Sequence, residues 1–107
     1  MATTFEVLAE PSRRRILDLL REGESAVGEV VSQLGMSQPA VSKHLRVLRD
    51  AGVVEARVDA QRRLYRVRPE PLHEIDDWLA PFRLLWETSL DALGSHLDRS
   101  DRGRNPP

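Results

Sequence analysis

Apolar residues recur every three or four positions through most of the chain and every second position in one short stretch, so the pattern predicts helices around a single hairpin. Residues 3–9 read as a short helical turn carrying Phe5 and Leu8, closed by Pro11, whose fixed φ suits the opening of the next helix. That helix, over 12–22, presents Ile16, Leu17, Leu19 and Leu20 and ends at Gly23. A third helix takes Ser25 as its N-cap, sets Val27, Val30, Val31 and Leu34 on one stripe, and stops at Gly35. After a tight turn, Ser37 caps a fourth helix that ends at Gly52. The period then changes to two. Val54, Ala56 and Val58 alternate with Glu55 and Arg57, Asp59-Ala60-Gln61 turns the chain, and Leu64, Tyr65 and Val67 follow among arginines, which predicts a two-stranded hairpin. Pro69 and Pro71 end it. A last helix over 71–98 carries Leu72, Ile75, Trp78, Leu79, Phe82, Leu85, Trp86, Leu90, Leu93 and Leu97, with Pro81 expected to kink or split it. Residues 99–107, polar with two prolines, read as a disordered tail, which leaves 1–98 as one domain.

The helix after Ser37 divides cleanly by side. At about 100° per residue, Ala40, Val41, His44, Leu45, Val47, Leu48 and Ala51 fall on one arc, while Gln38, Pro39, Ser42, Lys43, Arg46, Arg49 and Asp50 fall on the other. The polar arc offers hydrogen bonders suited to base edges near the helix N-terminus, Ser37, Gln38 and Ser42, followed by phosphate partners, Lys43, Arg46 and Arg49. An ordinary amphipathic surface helix shares that outline. His44 lies in the apolar arc, which favours a buried, hydrogen-bonded structural histidine over a DNA contact.

Charge adds weight to the DNA reading. The net charge is −1, yet residues 37–68 hold eight Lys/Arg against three acids, for +5, whereas residues 69–98 hold one Arg against seven acids, for −6. Local field governs the encounter with a polyanion, and the basic third of the chain is the third that holds the polar-faced helix and the hairpin. Arg62 and Arg63 follow the hairpin turn, with Arg57, Arg66 and Arg68 on its strands. Arginines there suit a narrow minor groove or flanking phosphates, although a charged edge that prevents aggregation accounts for them as well. The order helix, tight turn, polar-faced helix, basic hairpin is that of a winged helix-turn-helix. Arg13, Arg14 and Arg15 read either as phosphate contacts or as surface ion pairs.

Other classes fare worse. The chain has no cysteine, hence no disulfide and no thiolate nucleophile, and it lacks a nucleophile elbow, a phosphate-binding glycine loop and a zinc-hydrolase motif, so it does not read as an enzyme and no cofactor is expected. No apolar run approaches the roughly 20 residues of a membrane span, and the N-terminus has no apolar signal core; the expected location is the cytoplasm.

The stretches FEVLAEPSRRRILDLL and AVGEVVSQLGMSQPAVSKHLRVLRDAGVVEARVDAQRRLYRV together resemble the ArsR/SmtB family of bacterial winged-helix repressors, over residues 5–68 and with a long final helix in the matching place. The resemblance implies a homodimer that binds a palindromic operator on double-stranded DNA and represses transcription. It also implies that the first and last helices form the dimer interface, here Phe5, Leu8, Trp78, Phe82, Leu85, Trp86, Leu90 and Leu93. Metal-sensing members carry cysteines at the positions of Ala26 and Gly28, and neither residue can bind a metal. Others hold zinc between final helices; His73, Asp76, Asp77, Glu87, Asp91 and His96 lack a pair of histidines at ligand spacing, so no metal site is expected and the effector is left open. A winged helix that has lost DNA binding and serves as a protein-interaction module is the alternative, disfavoured by the basic third.

Overall fold

The computed structural model describes the backbone of residues 3–100 and the side chains of residues 3–89. It divides into a unit through Ile75 and a second from Asp76 onward. In the first unit, α1 (Thr4–Leu8) is opened by Thr3, whose Oγ1 accepts from the Glu6 N–H at 3.1 Å. It buries Thr4 and Val7 rather than Phe5, which is exposed. α2 (Pro11–Arg21) starts on Pro11, and the Glu10 carboxylate caps it by accepting from the Ser12 N–H at 3.1 Å. That backbone hydrogen bond holds the Glu10 carboxyl below its ordinary pKa.

Ser25 corrects the first expectation. It does not cap a helix: with Ala26 it forms a short strand, β1 (Ser25–Ala26), and α3 (Val27–Leu34) begins one residue later. The Glu29 carboxylate reaches back from the third helical position and accepts from the N–H of the N-cap residue, Ala26, at 3.0 Å, which is the glutamate half of a capping box. α3 ends at Gly35, whose φ of 65° permits its N–H to reach the Val31 carbonyl at 3.0 Å. α4 (Gln38–Asp50) is capped by Ser37, which accepts from the Ala40 N–H at 3.2 Å, and it is closed by Gly52 at φ 76°.

The hairpin consists of β2 (Val54–Asp59) and β3 (Arg62–Val67), paired from Val54 against Val67 to Asp59 against Arg62. β1 adds to the free edge of β3, with Ser25 opposite Tyr65 and Ala26 opposite Leu64, so the sheet has three antiparallel strands in the order β1-β3-β2 and the hairpin is anchored to the body. Because β3 is central, both Leu64 and Tyr65 are buried. Val7, Ile16, Leu20, Val30, Val41, Leu45, Leu48, Val53, Val54 and Tyr65 make one core shared by α1 to α4 and the sheet. A core leucine such as Leu45 or Leu48 is worth about 2–5 kcal/mol against alanine.

α5 (Leu72–Ser100) starts in the first unit, where Leu72 packs against the core, and runs unbroken through Pro81, so the helix is not split there. Pro81 cannot donate to the carbonyl four residues back. Arg83 reaches over this weak point and donates to the Asp76 carboxylate at 2.6 Å and to the Asp76 backbone carbonyl at 2.8 Å. Of the tail expected to be disordered from residue 99, Arg99 and Ser100 instead belong to α5, and the remainder lies outside the described residues. Among the described residues no helix is long and apolar enough to cross a membrane.

Candidate nucleic-acid interface

Burial along α4 follows the wheel residue by residue. Val41, Leu45 and Leu48 are buried, Ala40, His44, Val47 and Ala51 are half-buried, and Gln38, Pro39, Ser42, Lys43, Arg46, Arg49 and Asp50 are exposed. Val30 in α3 belongs to the same core as Val41, Leu45 and Leu48, so the preceding helix braces α4 from behind and leaves its polar side outward. Ser37 lies at the start of that side, its hydroxyl oxygen engaged in the cap. Among the described residues Lys43, Arg46 and Arg49 form no ion pair with a carboxylate. Their charge is therefore not neutralised locally.

The hairpin is different. Arg57 donates to both carboxylate oxygens of Glu24, one of them at 3.0 Å; this pair holds the Glu24 carboxyl below its ordinary pKa and raises the Arg57 guanidinium above its own. Arg66 is hydrogen-bonded to Glu55 across the strands. Arg68 lies 3.8 Å from Glu55 and 3.7 Å from Glu70. Arg62 is 3.6 Å from Glu29, an ion pair too long for a good hydrogen bond. Arg63 alone of these arginines has no carboxylate partner among the described residues. The composition count of basic residues missed this compensation. Glu55 opposite Arg66 follows from hairpin register, but Glu24 is 33 positions from Arg57 and only the fold brings them together.

Two further groups depart from the sequence reading. Arg13, Arg14 and Arg15 form no surface ion pair among the described residues. Arg13 donates to the Val7 carbonyl at 2.6 Å, Arg14 to Leu8 at 2.6 Å and Ala9 at 3.2 Å, and Arg15 to Leu34 at 3.0 Å. They supply donors to the open C-terminal ends of α1 and α3. His44 is on the apolar side as expected, but its Nδ1 is buried without a hydrogen-bond partner among the described residues.

In the second unit, α5 exposes Trp78, Phe82, Leu85 and Trp86. The Trp78 and Phe82 rings pack with centroids 4.8 Å apart. The side chains of Leu90 and Leu93, and those of Asp91 and His96, lie outside the described residues. Ala26 and Gly28 occupy β1 and α3, and among the described residues no three His, Asp or Glu side chains gather into a metal-binding group.

Comparison with known proteins agrees with this layout. The family profile described as "Bacterial regulatory protein, arsR family" matches residues 10–56. The chain is 30% identical over 82 residues to the transcriptional repressor SdpR of Bacillus subtilis (strain 168), covering 77% of this chain and 91% of the relative. It is 36% identical over 94 residues to the HTH-type transcriptional regulator Rv2034 of Mycobacterium tuberculosis, covering 88% and 85% of the two chains. A crystal structure titled as a possible transcriptional regulator for arsenical resistance is similar at 38% identity with a TM-score of 0.67, over 90% of this chain and 97% of that one. The chain belongs to the arsR family of bacterial regulatory proteins, and is a winged helix-turn-helix DNA-binding transcriptional regulator rather than an enzyme.

Proposed function

We propose that the protein is a homodimeric, sequence-specific repressor that reads a palindromic operator, with α4 in the major groove and the β2–β3 hairpin as a wing beside it. The observation that carries this reading is the exposed side of α4: Gln38, Ser42, Lys43, Arg46 and Arg49 project from a helix whose other side is core, and its cations have no carboxylate partner among the described residues. Gln38 and Ser42 read base edges, Ser37 orders the N-terminus that approaches the duplex, and Lys43, Arg46 and Arg49 meet phosphates. Arg62 and Arg63 extend the contact from the end of the wing. A second copy of the chain joins through Phe5, Leu8, Trp78, Phe82, Leu85, Trp86, Leu90 and Leu93, which gives the operator its two-fold symmetry and half-sites about one helical turn apart. The protein works where bacterial DNA is, in the cytoplasm. Its effector is left open, with no metal among the candidates.

The test is a titration of purified protein against duplexes it selects from a random-sequence pool, with bulk random duplex as competitor. Gln38→Ala and Ser42→Ala each relax discrimination between selected and random DNA by about 1–3 kcal/mol, the worth of one base contact. If both variants discriminate as well as the parent, the reading face lies elsewhere. If the parent enriches no sequence and binds no duplex at low salt, the chain is a protein-interaction module.

A further inference from the structure

Between the end of α2 and the foot of the hairpin lies a cleft of about 640 Å³, within the range of about 300–1,000 Å³ that small-molecule sites occupy. Its base is apolar: Leu20 belongs to the core, Val67 packs on that core, and Pro69 follows. Its rim is cationic. Arg21, Arg57 and Arg66 line it against a single carboxylate, that of Glu24, which Arg57 already engages. Arg66 is held by Glu55 on the neighbouring strand, whereas Arg21 has no carboxylate partner among the described residues. Gly23 lines the cleft as well. Its φ is not left-handed and a β-carbon there would meet nothing within 4 Å, so neither the backbone nor packing calls for glycine, and what it provides is open space. Glu24 directly precedes β1 and Arg57 lies on β2, with β3 between those strands. Their ion pair therefore straps the outer strand of the hairpin to the body across the middle one.

We propose that this cleft binds a small organic anion, an apolar body bearing a carboxylate, and that the ligand's carboxylate takes the place of Glu24 on Arg57. The apolar body lies on Leu20, Val67 and Pro69. The carboxylate sits between Arg21 and Arg57, whose planar guanidiniums match it in bidentate geometry. Displacing Glu24 costs little, because its side chain and that of Arg57 are 31% and 53% exposed and ion pairs in water contribute weakly. With the strap released, the hairpin is held less firmly in the arrangement that serves DNA, and the cleft acts as an effector site. This last step rests on the operator-binding reading; the ligand site itself does not. A ligand and a duplex that favour different arrangements of the hairpin weaken each other by equal factors.

The experiment follows the amide resonances of the full chain by NMR, without DNA, while naphthoate is added, with the neutral naphthyl alcohol and inorganic phosphate as separate probes. Naphthoate gives saturable shifts centred on Gly23, Glu24, Arg66 and Val67. The alcohol, which lacks the charge, and phosphate, which lacks the apolar body, each bind at least about tenfold more weakly. Arg21→Ala and Arg57→Ala each weaken naphthoate by about tenfold or more, the worth of one charge-assisted hydrogen bond. Gly23→Leu narrows the cleft and weakens it too. Arg14→Gln, which removes a charge two turns back along α2, leaves it unchanged. All variants are checked for folding by circular dichroism. An alcohol that binds as tightly as naphthoate, shifts centred on the apolar side of α5, or equal losses in Arg14→Gln and Arg21→Ala overturn the site. Fluorescence anisotropy on a duplex selected by the parent then tests the effector role, with saturating naphthoate lowering DNA affinity by about fivefold or more. An unchanged affinity overturns that role. Should the parent bind no duplex, it is the operator reading that fails, and the titration without DNA still decides the cleft.

Discussion

Ala60 is the one non-glycine among the described residues with a positive φ, 58°, in the two-residue link between Asp59 and Arg62. The left-handed region costs an L-residue about 1–2 kcal/mol, and glycine would return about 0.4–1 kcal/mol of that through the greater freedom of its unfolded chain. Ala60→Gly therefore raises stability by up to about 1 kcal/mol, read as a higher urea midpoint at unchanged m-value. A lower midpoint would mean that the Ala60 methyl makes a contact worth more than the strain. The sequence places this turn within one residue, at Asp59-Ala60-Gln61 where Asp59 in fact ends β2, but not its backbone, because asparagine and glycine, the usual signals of a left-handed position, are absent from it. His44 shows a related limit. Helical periodicity puts it on the inner side, and it is there, yet its buried Nδ1 has no hydrogen-bond partner among the described residues. Partners for a half-buried side chain come from tertiary neighbours that periodicity does not name.

Between elements, the three consecutive arginines of α2 act as external caps for two other helices. Arg13→Ala removes the 2.6 Å bond to the Val7 carbonyl and leaves the last turn of α1 short of a donor. The expected loss is about 1 kcal/mol of stability, read by denaturant unfolding, with the salt dependence of DNA binding unchanged. A reduced salt slope at full stability would instead return Arg13 to the role of phosphate contact. The same scale explains what could be read beforehand. A period of 3.6 locates α2, α3, α4 and α5, and it sorts residues 38–51 into inner and outer sides as the structure has them, because α4 lies on a core that covers only one of its sides. β1 could not be read: two residues show no alternation, and Ser25 is an N-cap by residue type until Tyr65 comes alongside. The arginine contacts of α2 depend on the tight turn after α1 and on Leu34 coming near Arg15, and the carboxylates on the hairpin depend on β1 docking against β3.

For the whole molecule, the unexplained surface is the apolar stripe of α5. Trp78, Phe82, Leu85 and Trp86 follow one another at helical spacing and stay substantially exposed, Leu85 at 60%, although contiguous apolar patches of this kind seldom face water on a protein that works alone. In the proposed reading a second copy covers the stripe, and the two-fold axis between copies presents two α4 helices to two half-sites. Leu85→Glu discriminates. At an exposed position the substitution changes the stability of a lone chain by no more than about 0.5 kcal/mol, whereas inside an interface it buries an unpaired carboxylate. The variant is thus folded by circular dichroism and monomeric by sedimentation. Having lost the second half-site, it binds the selected duplex at least about 100-fold more weakly. Leu84 is the internal control: it is 68% exposed but falls about 100° around the helix, between Asp77 and Ala80 and away from the stripe. Leu84→Glu stays dimeric and keeps its affinity. If Leu85→Glu also sediments as a dimer and binds as tightly as the parent, the copies meet elsewhere, and the stripe belongs to a different partner.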